Sequence, residues 1–129
     1  MVKKRYYFTD EITGVVATGA TTLNLKHEDI ERGWEYHYQH IAVENDTSSG
    51  ATARFGTYRG NSFIPAEEQS SMTVDTLYWI DDEIICTEGQ KAGIYISGAT
   101  AGDVIIARFR GYKIRMDTKS AEHEKEEMI

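Results

Sequence analysis

The sequence predicts an all-β fold: a single-domain β-sandwich or jelly-roll-like barrel of about seven to nine short strands, with at most one short helical turn. Short segments of alternating apolar and polar residues recur at close spacing, with turn residues between them. No window sustains the 3.6-residue period over three turns. Aromatic residues are plentiful, with eight Tyr, four Phe and two Trp in 129 residues, and they favour pleated surfaces.

Taken in order, RYYF at 5–8 is short, aromatic and strand-like. Thr9 to Gly14 has turn chemistry, and VVATGATTLNL at 15–25 reads as one or two strands broken at Gly19. HEDIERG at 27–33 has the form of one helical turn ending at Gly33, since glycine suits the left-handed position after a helix. WEYHYQHIAV at 34–43 is the first strong strand. Trp34, Tyr36 and Tyr38 share one face by the period of two, and Ile41 and Val43 share the other. Either that strand ends buried on both faces, or a bulge near Gln39–His40 shifts its register.

NDTSSGAT at 45–52 is a loop by composition, and ARFGTYRG at 53–60 is a strand carrying Phe55 and Tyr58. Residues 61–75, which hold the single proline Pro65, read as connection anchored by Phe63 and Ile64. TLYWI at 76–80 and IICT at 84–87 are strands, with Asp81–Asp82–Glu83 as a hairpin turn between them. After a turn at EGQ, AGIYIS at 92–97 alternates. GATAGD at 98–103 connects it to the longest alternating run, DVIIARFRGYKIRM. There Ile105, Ala107 and Phe109 oppose Arg108 and Arg110. An extra residue at Gly111 would return Tyr112 and Ile114 to the Phe109 face, and glycine suits such a bulge.

Residues 1–116 are expected to form the single β domain, with 1–9 as an N-terminal arm, and 117–129 to form an acidic, solvated tail. That tail carries Asp117, Glu122, Glu124, Glu126 and Glu127 against Lys119 and Lys125. The net charge of −7 argues against nucleic acid, because phosphate binding needs cations that displace counterions. No segment has the apolar length of a signal peptide or a membrane span, so neither export by that route nor a membrane role is expected.

Catalytic and metal motifs are not found, and no cofactor or metal is expected. His37 and His40, three apart in a strand, point to opposite faces unless a bulge intervenes. His27 reads as a loop residue and His123 lies in the tail. Asp81, Asp82 and Glu83 have the oxygen ligands calcium prefers, without the spacing of a dedicated loop. No nucleophile elbow or phosphate loop is present. The lone Cys86 reads as a small buried hydrophobe.

Two stretches carry a resemblance. HIAVENDTSSGATARFGTYRGNSF at 40–63 runs from a strand through a polar loop into a glycine-spaced strand. IICTEGQKAGIYISGATAGDVIIARFRGYKI at 84–114 runs from an apolar strand through a glycine turn and GATAGD to a closing strand. Together they resemble the jelly-roll or β-sandwich accessory proteins of tailed-phage particles, of the capsid decoration or cement type. The resemblance implies a non-enzymatic virion protein, made in the host cytoplasm. It also implies the major capsid protein or other virion proteins as partners, and a homo-oligomer with a trimer favoured.

Tyr6, Tyr7, Phe8, Trp34, Tyr36 and Tyr38 are the candidate partner contacts, aromatics being enriched at interfaces. A carbohydrate- or receptor-binding module is the alternative, using Trp34, Tyr36 and Tyr38 as a coplanar platform. A small enzyme combining Asp82, Glu83 and a histidine is the third reading.

Overall fold

The structure, a computed structural model, describes residues 3–116; the tail expected at 117–129 lies outside the described residues. Among the described residues nine strands form two antiparallel sheets, and there is no helix. They are β1 (Tyr6–Val15), β2 (Leu23–Lys26), β3 (Trp34–Asn45), β4 (Thr52–Arg59), β5 (Ser62–Gln69), β6 (Tyr78–Ile80), β7 (Ile84–Cys86), β8 (Gln90–Ser97) and β9 (Val104–Arg115). The first sheet runs β1-β9-β3-β6, with β7 also on β3; the second runs β2-β8-β4-β5. The sheets stack as an open sandwich rather than a closed barrel.

Between them lie Tyr38, Ile41, Val43, Phe55, Met72, Ile94, Ile96, Ile105 and Phe109, all essentially inaccessible to water. Each such side chain contributes about 1.5–3 kcal/mol through burial. At one end, Asp103 is equally buried and gathers the chain around it. It accepts hydrogen bonds from the Asn45 amide, the Ser48 hydroxyl and the Thr100 N–H. Those bonds tie loop 46–51 to loop 98–103 immediately before β9. Among the described residues no buried side-chain polar atom lacks a partner.

The structure departs from the sequence reading at several points. Thr9–Gly14 is strand, not turn, and residues 6–9 belong to β1 rather than to an arm, pairing with residues 110–113 of β9. Phe8, Asp10, Ile12 and Gly14 face inward while Thr9, Glu11 and Thr13 face out, so a period of two underlies a turn-like composition. HEDIERG forms no helical turn. Gly33, at φ +87°, instead closes a turn in which the Trp34 N–H donates to the Glu31 carbonyl.

Residues 62–69 form β5, a whole strand in place of the expected connection. It lies at a sheet edge, where the N–H that Pro65 lacks is not required. β6 and β7 do not form a hairpin. Both pair with β3, as consecutive pieces of one interrupted edge strand, and Asp81–Glu83 spans the interruption.

The bulge anticipated near Gln39–His40 is present in β3, where the register shifts between Tyr38 and His40. It returns Ile41 and Val43 to the inner face with Tyr36 and Tyr38. No matching bulge occurs at Gly111, because β9 pairs with β1 without a shift. Tyr112 and Ile114 therefore stay on the outer face with the arginines. The need for glycine at 111 has another cause: a Cβ there would collide with the His37 carbonyl oxygen as the bulged strand passes.

Candidate functional site

The pairing registers assemble one row across the outer face of the first sheet. Tyr7 of β1 opposes Tyr112 of β9, Tyr112 opposes His37 of β3, and His37 opposes Ile85 of β7. His37 stacks flat on Tyr112, with ring centres 4.7 Å apart and planes 7° apart. Tyr7 lies 5.8 Å from Tyr112, and the Arg5 guanidinium sits 4.2 Å over the Tyr112 ring. Glu35 and Glu83 hold the two His37 ring nitrogens, at 2.6 and 2.8 Å.

The β3 bulge also brings His40 to this face, where Nδ1 meets Asp81 at 2.9 Å and the ring lies 6.4 Å from Trp79. Arg108 bridges Glu11 and Glu44 nearby. Tyr7 is 69% exposed, Trp79 55% and Ile85 48%. The face thus presents three large apolar side chains among a held network of charges. The acids of 81–83 anchor the β6–β7 link to β3 through His37 and His40.

The six aromatic candidates divide into three groups. Tyr7 joins the outer row. Tyr6 and Trp34 meet edge to face at 5.6 Å near the end of the sandwich, under Lys4 and Lys113. Phe8, Tyr36 and Tyr38 point into the interior, Tyr38 being wholly buried and Tyr36 nearly so. Folded as it is, the chain does not offer these three to a partner, and no coplanar platform of Trp34, Tyr36 and Tyr38 exists. Trp79, Ile85, Tyr112 and His37 were missed as a group. Alternation in TLYWI sets Trp79 opposite to Tyr78 and Ile80, but the row itself depends on cross-strand register.

The inner aromatics surround a histidine that sequence reasoning placed in an open loop. His27 is buried, stacked 5.2 Å from Phe8 and 5.0 Å from Phe109. Its Nδ1 lies 2.6 Å from the Tyr38 hydroxyl and its Nε2 2.6 Å from Asp10. With its proton on Nε2, the ring accepts from the Tyr38 hydroxyl at Nδ1 and donates to the carboxylate, an arrangement that satisfies every group. Because Asp10 is on β1 and His27 follows β2, the chain of bonds clasps the two sheets.

Next to it the Tyr36 hydroxyl donates to Glu28. Burial above all, with the Glu28 bond second, raises Tyr36 well above the usual tyrosine range. Burial does the same to Tyr38. Among the described residues Asp10, His27 and Glu28 form a convergent set of metal-type donors, with ligand atoms all within 4.8 Å of one another.

On the opposite side of the sandwich a groove of about 300 Å³ runs between the β5 and β6 edges. Phe55, Glu67, Gln69, Leu77, Trp79 and Ile80 are among its walls. Cys86 is fully buried away from it, with burial pushing its thiol up to about 11.

No protein-family model matches the chain, and no curated protein matches it by sequence. Solved structures do. A chain of the Bacillus endospore appendages, described as a novel family of disulfide-linked pili, superposes with a TM-score of 0.54 at 13% identity, covering 91% of this chain and 93% of that one. A family 4 carbohydrate-binding module reaches 0.37 at 14% identity, over 80% of each chain. The VP2 subviral particle of infectious bursal disease virus reaches 0.35 at 12% identity, over 88% of this chain and 32% of that one. What the likeness to the appendage subunit establishes is the fold: an all-β sandwich of the same extent.

Proposed function

We propose that this chain is a non-enzymatic structural subunit of a virus particle, a capsid decoration or cement protein that binds an assembled shell in many copies. The observation that carries this reading is the outer face of the first sheet. Tyr7, Trp79 and Ile85 are exposed there together, around an Arg5–Tyr112–His37 stack already held in place. A pre-ordered surface loses little side-chain freedom on binding, and many weak copies reinforce a lattice. The resemblance in 40–63 and 84–114 points to a phage particle, and the net charge of −7 suits a subunit that stays dispersed until it docks.

Disulfide linkage, which the appendage pili are described as having, is not a route open to the buried Cys86. The contacts would be non-covalent. The carbohydrate reading has less support, because Tyr36 and Tyr38 face inward.

The test is cosedimentation of the purified chain with capsid shells assembled without it. Saturable binding supports the proposal, and failure to bind any particle component overturns it. Solution mass tests the expected trimer separately.

A further inference from the structure

We infer that Asp10, His27 and Glu28 form a binding site for a divalent transition-metal ion of the zinc type, placed where the two sheets are clasped. This goes beyond the proposed docking role and does not depend on it. Three donors of the kinds zinc takes, one imidazole nitrogen and two carboxylates, lie within 4.8 Å of one another.

The imidazole is positioned as a ligand. Phe8 and Phe109 stack on its ring, and Tyr38 holds Nδ1 from the interior. Nε2 alone is presented toward Asp10. A metal-bound histidine characteristically donates its second N–H to an outer partner, and the Tyr38 oxygen stands where it can accept that bond once the ring proton moves to Nδ1. The carboxylates stand at the mouth of an open concavity of about 470 Å³, lined also by Thr9, Glu11 and Lys26. Solvent can supply the one remaining ligand of a four-coordinate ion.

Binding requires a defined proton move. In the metal-free protein Nε2–H donates to Asp10 and Nδ1 accepts from Tyr38. The ion takes the Nε2 lone pair, so the ring proton shifts to Nδ1 and is donated to the Tyr38 oxygen. The number of protons on the ring is unchanged. Tyr38 gives up its own acceptor in the exchange, which sets the affinity below that of a dedicated structural zinc site. Asp10 must also draw back from its 2.6 Å contact to admit the ion. Glu28 can keep one oxygen on the Tyr36 hydroxyl and offer the other.

The experiment titrates the full chain with Zn²⁺ by calorimetry and follows the His27 ring nitrogens by NMR. The expected result is saturable one-to-one binding with a switch of the ring proton from Nε2 to Nδ1. Affinity should fall at least about tenfold in Asp10→Asn and in Glu28→Gln, by analogy with losses seen when the surroundings of metal ligands are altered. Both substitutions keep side-chain size, and the exposed Glu28→Gln retains an acceptor for Tyr36, so a folded variant remains to be measured. The inference is overturned if no saturable binding occurs at millimolar Zn²⁺. It is equally overturned if binding survives both substitutions undiminished, or if the His27 tautomer does not change.

Discussion

At the scale of single residues, two buried groups report on the fold through their chemistry. Asp103 sits in the interior, where burial alone would raise its carboxyl. Hydrogen bonds from Thr100, Asn45 and Ser48 outweigh that cost and hold it below the usual carboxylate range. A carboxylate depressed in the folded state adds stability above its unfolded value of about 3.9, and that stability drains away as pH falls through the folded value. Asp103→Asn should cost about 2 kcal/mol in urea denaturation at pH 7, and the gap to the parent chain should narrow at pH 3. A constant gap would mean that the charge is not what the three donors recognise. Cys86 is the opposite case, its thiol pushed up to about 11 by burial. Thiolate is the reactive form, so an aromatic disulfide reagent at pH 8 should label the folded chain at the rate of its unfolding. Labelling should be immediate in denaturant, and fast labelling of the native chain would place Cys86 nearer the surface than the structure does.

At the scale of the element, β9 and the bulged β3 explain each other. Gln39 is the extra residue on β3, and Gly111 on β9 leaves the room that the His37 carbonyl takes as the bulged strand passes. Gly111→Ala should therefore cost about 3 kcal/mol, at the upper end for overpacking, since the obstruction is backbone and cannot swing aside. Gly60→Ala is the contrast. Gly60 has a positive φ of 60° with nothing within 4 Å of a new Cβ, so only conformational strain of about 1 kcal/mol should appear. Thermal or urea unfolding of both variants checks the pair, and equal losses would refute the steric account. The same strands show what was legible in the sequence. The parity break between Tyr36–Tyr38 and Ile41–Val43 raised the β3 bulge as one of two explanations, burial of both faces at the strand end being the other, and the register shift between Tyr38 and His40 decides for the bulge. It could not say which strand accommodates Gly111, since that depends on the neighbour's backbone. β5 was hidden by Pro65 and by Glu67 and Glu68, residues that suit an exposed edge and mimic a loop. The second half of β1 was hidden because threonine, aspartate and glycine serve turns as readily as solvent-facing strand positions. His27 was unreadable as a buried residue because its burial comes from Phe8 and Phe109, far away in sequence.

At the scale of the whole molecule, interior and exterior do separate work. Among the described residues the interior is filled by apolar side chains and by polar ones that all have partners, so stability does not rest on the exposed Tyr7, Trp79 and Ile85 of the outer face. Tyr7, Trp79 and Ile85 project there with at least 48% of their surface in water. Replacing Trp79 and Ile85 with serine should change unfolding stability by about 0.5 kcal/mol each, the usual scale for surface substitutions. If the face is the docking surface, the same changes should weaken attachment far more on a shell than on one isolated partner. A lattice-bound oligomer gains about 10²- to 10⁴-fold in avidity from simultaneous contacts, and a loss at each contact is compounded by every copy engaged. The discriminating measurement compares the double variant with the parent chain in two assays, sedimentation with intact shells and binding to a dissociated shell subunit. A steep loss in the first with a modest loss in the second places docking on this face. Undiminished shell binding by a stably folded double variant would move the contact elsewhere, and the Glu67-flanked groove between β5 and β6, which Trp79 also borders, would then be examined through Leu77→Ser.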